Sequence, residues 1–344
     1  GASQTASRRK KPAPPSRRAA SGWMVSGAGF LTVICALGVA YAVAQMQGSN
    51  ELNAEGRALG EELGTRGGTF VAQPQEQLPY VSTFEVIASY PHDPNAFTQG
   101  LVFDEEGGLF ESDGLYGKSN VRQVEVRTGK SLKSAPQARE VFGEGLQAIG
   151  NKLIQLTWKN NLVFEYRKDT LQLIRKVPVD IGREGWGLAA DPAGKTLYVT
   201  DSTDMLFHVE PETYRVVKRM KIVDHIFQPT KAIFGVNELE WVNGELWGNV
   251  YPMYQNKASE CVVRIDPANG SVKGWIDMRG LLAQQAAHVT RAPTAHVLNG
   301  IAYHQPTDRM YVTGKLWNNM YQVHIKGAAE LSTAQHVQQV CQLG

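Results

Sequence analysis

The stretch "VFGEGL" at 141–146 sets one carboxylate, Glu144, between two glycines at the end of an apolar run. Alone, such a glutamate reads as a solvated loop charge. Four further stretches change that reading: "NAFTQGL" (95–101), "REGWGL" (183–188), "VNELEW" (236–241) and "VTGKLW" (312–317). The set offers an acid (Glu144), a base (Lys315), two amides (Gln99 and Asn237) and the rings of Phe97, Phe142 and Trp186. Trp158, fourteen residues beyond Glu144, ends a strand and is expected at the same end of the fold. Taken singly, a glycine before a strand serves packing and a tryptophan fills space between sheets. Together, an acid, a base, amides and aromatics at matched positions form the kind of constellation that does acid–base work on a small substrate.

What must position them is a repeat. "GLVFDEEGGLFESDG" from 100, "LQAIGNKLIQLTW" from 146, "GLAADPAGKTLYVTDS" from 187, "LEWVNGELWGNVY" from 239 and "GIAYHQPTDRMYVTGK" from 300 share one plan. Each is a short apolar strand, a turn with Gly, Asn or Asp, and a second strand. A third strand follows in most, as in "LVFEYRKDTLQL" and "CVVRIDPANGSV". Repeat starts lie about 40–60 residues apart, near the period of a propeller blade plus insertions. The fold expected is all-β: a five-bladed β-propeller over 81–344. Its last repeat runs short of strands near Ile325, and "STFEVIASY" at 82–90 is expected to complete it, which protects the edges. The stretches around "FGVNELEW" and at 278–300 are expected as loops on the face bearing the site, the latter partly helical.

Composition bounds the rest. Of 344 residues, 20 % are charged and 42 % hydrophobic, ordinary for a globular chain. The net charge of +2 hides a polarised molecule. Residues 1–50 hold six Arg or Lys and no acid, leaving 29 bases against 33 acids beyond them. A nucleic-acid binder would carry its basic excess on the folded domain, so that class is excluded. Residues 1–21 read as a basic cytoplasmic tail. Residues 22–44 are mostly apolar and long enough, at about 34 Å as a helix, to cross a bilayer. This segment is expected as a transmembrane signal-anchor, with a signal peptide cleaved after Ala44 as the alternative. Positive charge at its N-terminal side places the body outside the cytoplasm. Residues 45–80 read as a linker. Cys35 lies in the apolar segment. Cys261 and Cys341 either pair in an oxidising compartment or stay as separate buried thiols.

From about residue 82 to 326 the chain resembles the plant-type glutaminyl-peptide cyclotransferases (glutaminyl cyclases). The resemblance rests on "YPHDPNAFTQGL", "FGEGL", "EGWGL", "NELEWVNGELWGNV", and "NGIAY" with "VTGKLW". It implies a five-bladed propeller that cyclises the N-terminal glutamine of peptides or proteins to pyroglutamate with loss of ammonia, without a cofactor. On this resemblance Glu144 is the general acid and base, while Lys315 and Asn237 stabilise the tetrahedral intermediate. Gln99 holds the substrate's polar end, and Phe97, Phe142, Trp158 and Trp186 form its aromatic pocket. Burial beside Phe142 is expected to raise the Glu144 pKa, and its flanking glycines to let substrate backbone approach. Tyr251 stands where the family's plant members place a third tryptophan, which puts substrate preference in question more than the reaction.

Eight scattered histidines show no paired spacing, so no metal is expected. Glu238, Glu240 and Asp113 are read as turn or supporting residues before a structural calcium site. "NGS" at 269–271 matches a glycosylation pattern but is explained by its turn. Two other classes are weighed. A non-catalytic peptide- or protein-binding propeller would need no Glu144 and Lys315 pair. A propeller hydrolase or lactonase would need several acids and amides around calcium. A monomer is expected.

Overall fold

The computed structural model describes residues 78–251, 259–286, 296–327 and 333–341, all within the unit Glu76–Gly344. The architecture is all-β, as the alternating strands and turns indicate. After β1 (Val81–Pro91) come β2 (Thr98–Phe103), β3 (Leu109–Asp113), β4 (Asn120–Val124) and β5 (Ser131–Pro136), one antiparallel sheet in chain order. The next sheet is β6 (Gly143–Ile149), β7 (Lys152–Thr157), β8 (Leu162–Arg167) and β9 (Leu173–Pro178). A third is β10 (Leu188–Ala190), β11 (Leu197–Thr200), β12 (Met205–Val209) and β13 (Val216–Lys221), followed by a small ribbon of β14 (Val223–Asp224) and β15 (Lys231–Ala232).

The remaining strands form an eight-stranded sheet. Half of it is β16 (Val236–Val242), β17 (Glu245–Val250), β18 (Cys261–Ile265) and β19 (Val272–Asp277). The other half contains β20 (Leu298–His304), β21 (Arg309–Gly314) and β22 (Asn319–Gly327), with β1 as its fourth strand. β1 runs antiparallel to β22 from Ser82↔Gly327 to Pro91↔Asn319, the pairing expected for 82–90. A short parallel contact, Val81↔Trp275 and Ser82↔Ile276, joins the halves.

Burial grades across each run, and the residue types follow it. β2 is almost wholly buried, whereas β5 and β9 are exposed along most of their length and carry lysine, arginine and serine. Charged, exposed last strands discourage pairing with other chains. Asn243 and Gly244, at φ +50° and +89°, supply the left-handed pair that a two-residue hairpin between β16 and β17 requires.

The first strands β2, β6, β10, β16 and β20 neighbour one another in that order, and β20 returns to β2. Their close approach depends on glycine. A Cβ at Gly100 would lie 2.5 Å from Leu146 N, one at Gly145 2.6 Å from Leu188 N, and one at Gly187 1.9 Å from Asn237 O. The glycines after Gln99, Glu144 and Trp186 therefore make room for the next strand. This corrects the expectation that Gly145 opens space for substrate, and Gly143 likewise faces Gln155 Nε2 at 2.5 Å and Asp113 O at 2.9 Å.

A helix, α1 (Ala334–Cys341), packs Val337, Val340 and Cys341 into the core around Trp275, and Cys341 is disulfide-bonded to Cys261. That settles the open choice in favour of pairing. Residues 78–80, read as the end of the linker, are held: Arg264 Nη1 donates to Pro79 O at 3.0 Å and the Tyr80 hydroxyl donates to Asp224. The expected tail, transmembrane segment and most of the linker lie outside the described residues. Among the described residues no helix is long and apolar enough to cross a membrane. In 278–300 the described part includes a single 3-10 turn, Leu282–Gln284.

Candidate active site

Four of the first strands break register against their second strands at the same place. The shifts fall between Thr98 and Gly100, Gly143 and Leu146, Val236 and Leu239, and Leu298 and Ile301. Each is a β-bulge or irregularity, a device that re-aims a side chain. The residues inside them are Gln99, Glu144, Asn237 with Glu238, and Asn299. In β10 the equivalent place, just before Leu188, belongs to Trp186 and Gly187.

At the centre a carboxamide bridges an acid and a base. Gln99 Nε2 donates to Glu144 Oε1 at 3.0 Å, and Lys315 Nζ donates to Gln99 Oε1. Asn299 Nδ2 donates to the same Gln99 oxygen at 3.2 Å and to Thr98 O at 2.9 Å. Glu144 is 2 % exposed, and its Oε2 has no hydrogen-bond partner among the described residues. The Glu144 backbone is fixed from behind: Ser112 Oγ donates to its carbonyl at 2.5 Å, and Gln155 Nε2 to Ser112 Oγ at 2.6 Å.

Burial sets the electrostatics. It pushes the Glu144 carboxyl well above the usual 4.5; Lys315 and the Gln99 bond pull it down, and Glu184 pushes it up. Burial also draws Lys315 down to about 8, against the opposing pull of Glu144 and Glu238. Both groups are thereby moved toward the range where protons exchange near neutrality.

Rings wall the array. Lys315 Nζ lies 4.7 Å from the Phe97 ring centre and 5.8 Å from that of Tyr251. Phe97 meets Phe142 edge-on at 6.1 Å, Phe142 meets Trp158 at 5.4 Å, and Tyr251 meets Trp186 at 5.8 Å. Of the sequence-predicted residues, Glu144, Gln99 and Lys315 are joined by hydrogen bonds. Phe97 and Tyr251 touch them, and Phe142, Trp158 and Trp186 extend the wall. Asn237 is buried beside Gly187, with its Oδ1 lacking a partner among the described residues.

Sequence reasoning passed over two residues, Asn299 and Tyr116, and read Glu238 as a turn or supporting residue. Asn299 was signalled: "NGI" at 299–301 repeats the "QGL", "EGL" and "WGL" of the other first strands. Tyr116, 51 % exposed, lies against Phe142 at 5.4 Å and Trp158 at 6.3 Å, brought there by a left-handed Leu115. Glu238 stands where the other bulges carry glycine, and accepts the backbone N–H groups of Ile301 (2.9 Å) and Leu101 (3.3 Å) across the centre. Glu240 likewise accepts Tyr303 N–H at 2.8 Å, and Asp113 accepts Asn120 Nδ2 at 2.9 Å, supporting roles for all three. Among the described residues no group of three or more His, Cys, Asp or Glu is arranged to hold a metal. A cavity of about 380 Å³ opens at the opposite ends of the first strands, lined by Phe103, Trp241 and Tyr303, and includes none of the acid–base array.

Fold and site together define an all-β protein with a buried acid–base centre that grips a carboxamide beneath aromatic rings. A model of the glutamine cyclotransferase family matches residues 64–325, and the chain belongs to that family. It is 39 % identical over 266 residues to the glutaminyl-peptide cyclotransferase of Arabidopsis thaliana, covering 76 % of this chain and 77 % of that protein. The crystal structure of Myxococcus xanthus glutaminyl cyclase superposes with a TM-score of 0.63 at 32 % identity, over 73 % of this chain and 99 % of the other.

Proposed function

We propose that this protein is a glutaminyl-peptide cyclotransferase, converting the N-terminal glutamine of peptides or proteins to pyroglutamate with release of ammonia. One observation carries the reading: the Gln99 carboxamide lies with its oxygen on Lys315 and its nitrogen on Glu144, the array that the amide of a substrate glutamine requires. A non-catalytic binding protein has no use for a buried acid and base poised on such a group.

In the reaction the substrate's α-nitrogen bonds to its own side-chain carbonyl carbon, and the bond from that carbon to the amide nitrogen breaks. Glu144 takes the α-amine proton and passes it to the departing nitrogen, which leaves as ammonia. A carboxyl whose proton affinity is raised by burial is suited to both transfers. Lys315 and Asn237 stabilise the negative charge that develops on the former carbonyl oxygen. Gln99 holds the polar end of the substrate; Phe97, Phe142, Trp158, Trp186 and Tyr251 enclose the side chain and exclude water. No metal takes part.

The five four-stranded runs are read as blades of a propeller, supported by the ring order of their first strands. The enzyme is read as a monomer anchored by residues 22–44, its catalytic domain over 81–344 outside the cytoplasm. The charge pattern of the N-terminal residues supports that placement, as does the Cys261–Cys341 disulfide.

The test is ammonia release from a glutamine-initiated dipeptide by the full chain, with and without excess chelator, and by Glu144→Gln. Turnover that resists chelation and is lost in the variant is expected. Folded wild-type protein that releases no ammonia would sink the proposal.

A further inference from the structure

A primary carboxamide is useful in this site only one way round. Its nitrogen must face Glu144 and its oxygen Lys315, because an ammonium has no acceptor to offer. Lys315 enforces this only while it is charged: burial lowers its pKa to about 8, and an amine that has lost its proton can also accept. Glu144, with its raised pKa, can likewise either accept or donate. Something of fixed polarity has to decide the orientation.

The Thr98 carbonyl has that property, because a backbone oxygen cannot exchange places with a donor. Asn299 Nδ2 carries two protons. One goes to Thr98 O at 2.9 Å, which fixes the Asn299 amide; the other goes to Gln99 Oε1 at 3.2 Å, which fixes the Gln99 amide. Gln99 Nε2 is then turned to Glu144 Oε1 at 3.0 Å. Asn299 is 1 % exposed and occupies in β20 the bulge that Gln99 and Glu144 occupy in β2 and β6. The neighbouring chain is pinned, since Gly300 N donates to Asn249 Oδ1 at 2.9 Å.

Resting on the cyclotransferase reading, we propose that Asn299 is a positioning residue for the proton transfer: it relays the polarity of the Thr98 carbonyl to the Gln99 amide and so keeps one Glu144 oxygen bonded and the other available to substrate. Its effect passes through Gln99 and is independent of the charge on Lys315.

The experiment is a double-mutant cycle of Asn299→Ala and Gln99→Ala in the full chain, read as kcat and KM for a glutamine-initiated dipeptide. Removing a neutral hydrogen bond of this kind is expected to lower kcat about threefold to tenfold with little change in KM. In the Gln99→Ala background the same change is expected to cost less than about twofold, because the relay has no receiver. Equal losses in both backgrounds, or an unchanged kcat in Asn299→Ala, overturn the proposal. Asn299→Ser serves if the alanine variant does not fold; its hydroxyl has one proton, enough for Thr98 but not for Gln99 as well.

A second readout needs no turnover. In the folded wild type the side-chain N–H₂ signals of Gln99, followed by ¹⁵N NMR, are expected to shift as Glu144 titrates, and to lose that response in Asn299→Ala. Retention of the response overturns the relay even if the enzyme's reaction proves to be another. Absence of cyclisation with the response intact in wild type and lost in the variant sinks the reaction and leaves the relay standing.

Discussion

Replacing Lys315 by methionine is expected to stop turnover and make the protein more stable. The ammonium is 2 % exposed, and burial lowers its pKa from 10.5 to about 8, with Glu144 and Glu238 opposing a larger fall. At 1.36 kcal/mol per pH unit the difference corresponds to about 3 kcal/mol. Between pH 8 and 10.5 the folded state binds fewer protons than the unfolded chain, so this contribution to stability rises with pH across that window. Below pH 8 the whole cost of the buried charge stands. Methionine has similar reach and no charge, and the lost bond to Gln99 offsets about 1 kcal/mol. The net gain at pH 7 is about 2 kcal/mol, roughly 4–8 °C in Tm for a domain of this size. Thermal melts at pH 7, 8.5 and 10, paired with ammonia-release assays, read both effects. The stability gap should narrow as the pH rises, while activity is down roughly a hundredfold or more throughout. A variant less stable than wild type at pH 7, or a gap that stays constant to pH 10, refutes the argument.

Three other outcomes are expected. Gly145→Ala places a methyl 2.6 Å from both Leu188 N and Trp186 O, backbone that cannot step aside, and should cost at least 1–3 kcal/mol in urea unfolding. Arg122 bonds Glu111 and Asp93 at 2.7 Å each in a buried network that also holds His92 and Asp113, so Arg122→Leu should cost about 3–5 kcal/mol at pH 7. Because Glu111 is held below its usual 4.5, the wild-type advantage stands above that pH and fades as the pH falls below it, which melts at pH 7 and pH 3 will show. Tyr116→Ala removes an exposed ring from Phe142 and Trp158 while leaving the acid–base array alone, and should raise KM severalfold with kcat within twofold, measured on the same dipeptide.

Much of this was legible in the residues. Alternating apolar runs with Gly, Asn and Asp turns set out the strands, and the shortfall near Ile325 pointed to 82–90, which pairs with β22. Glu144, Gln99 and Lys315 stood out because each interrupts an apolar stretch with a charge or amide. Asn299 did not, since an asparagine before a glycine reads as turn chemistry; only the approach of β20 to β2 brings it to Gln99. The flanking glycines were visible but their purpose was not, because the atoms they make room for belong to other strands, that of Gly145 some 40 residues away. Cys261 and Cys341, 80 residues apart, meet only once α1 has folded against the core.

The pairing of β1 with β22 has a consequence for the timing of synthesis. Gln99 and Glu144 leave the ribosome early, whereas Asn299 and Lys315 follow well over a hundred residues later, and the sheet that carries β20 and β21 is completed by β1, made long before them. A nascent or truncated chain thus carries half an acid–base centre and no lysine to polarise an amide. Competence arrives in one step, when residues near 327 are free to find those near 82, so a prematurely terminated product is inert toward the glutamine termini of the proteins around it.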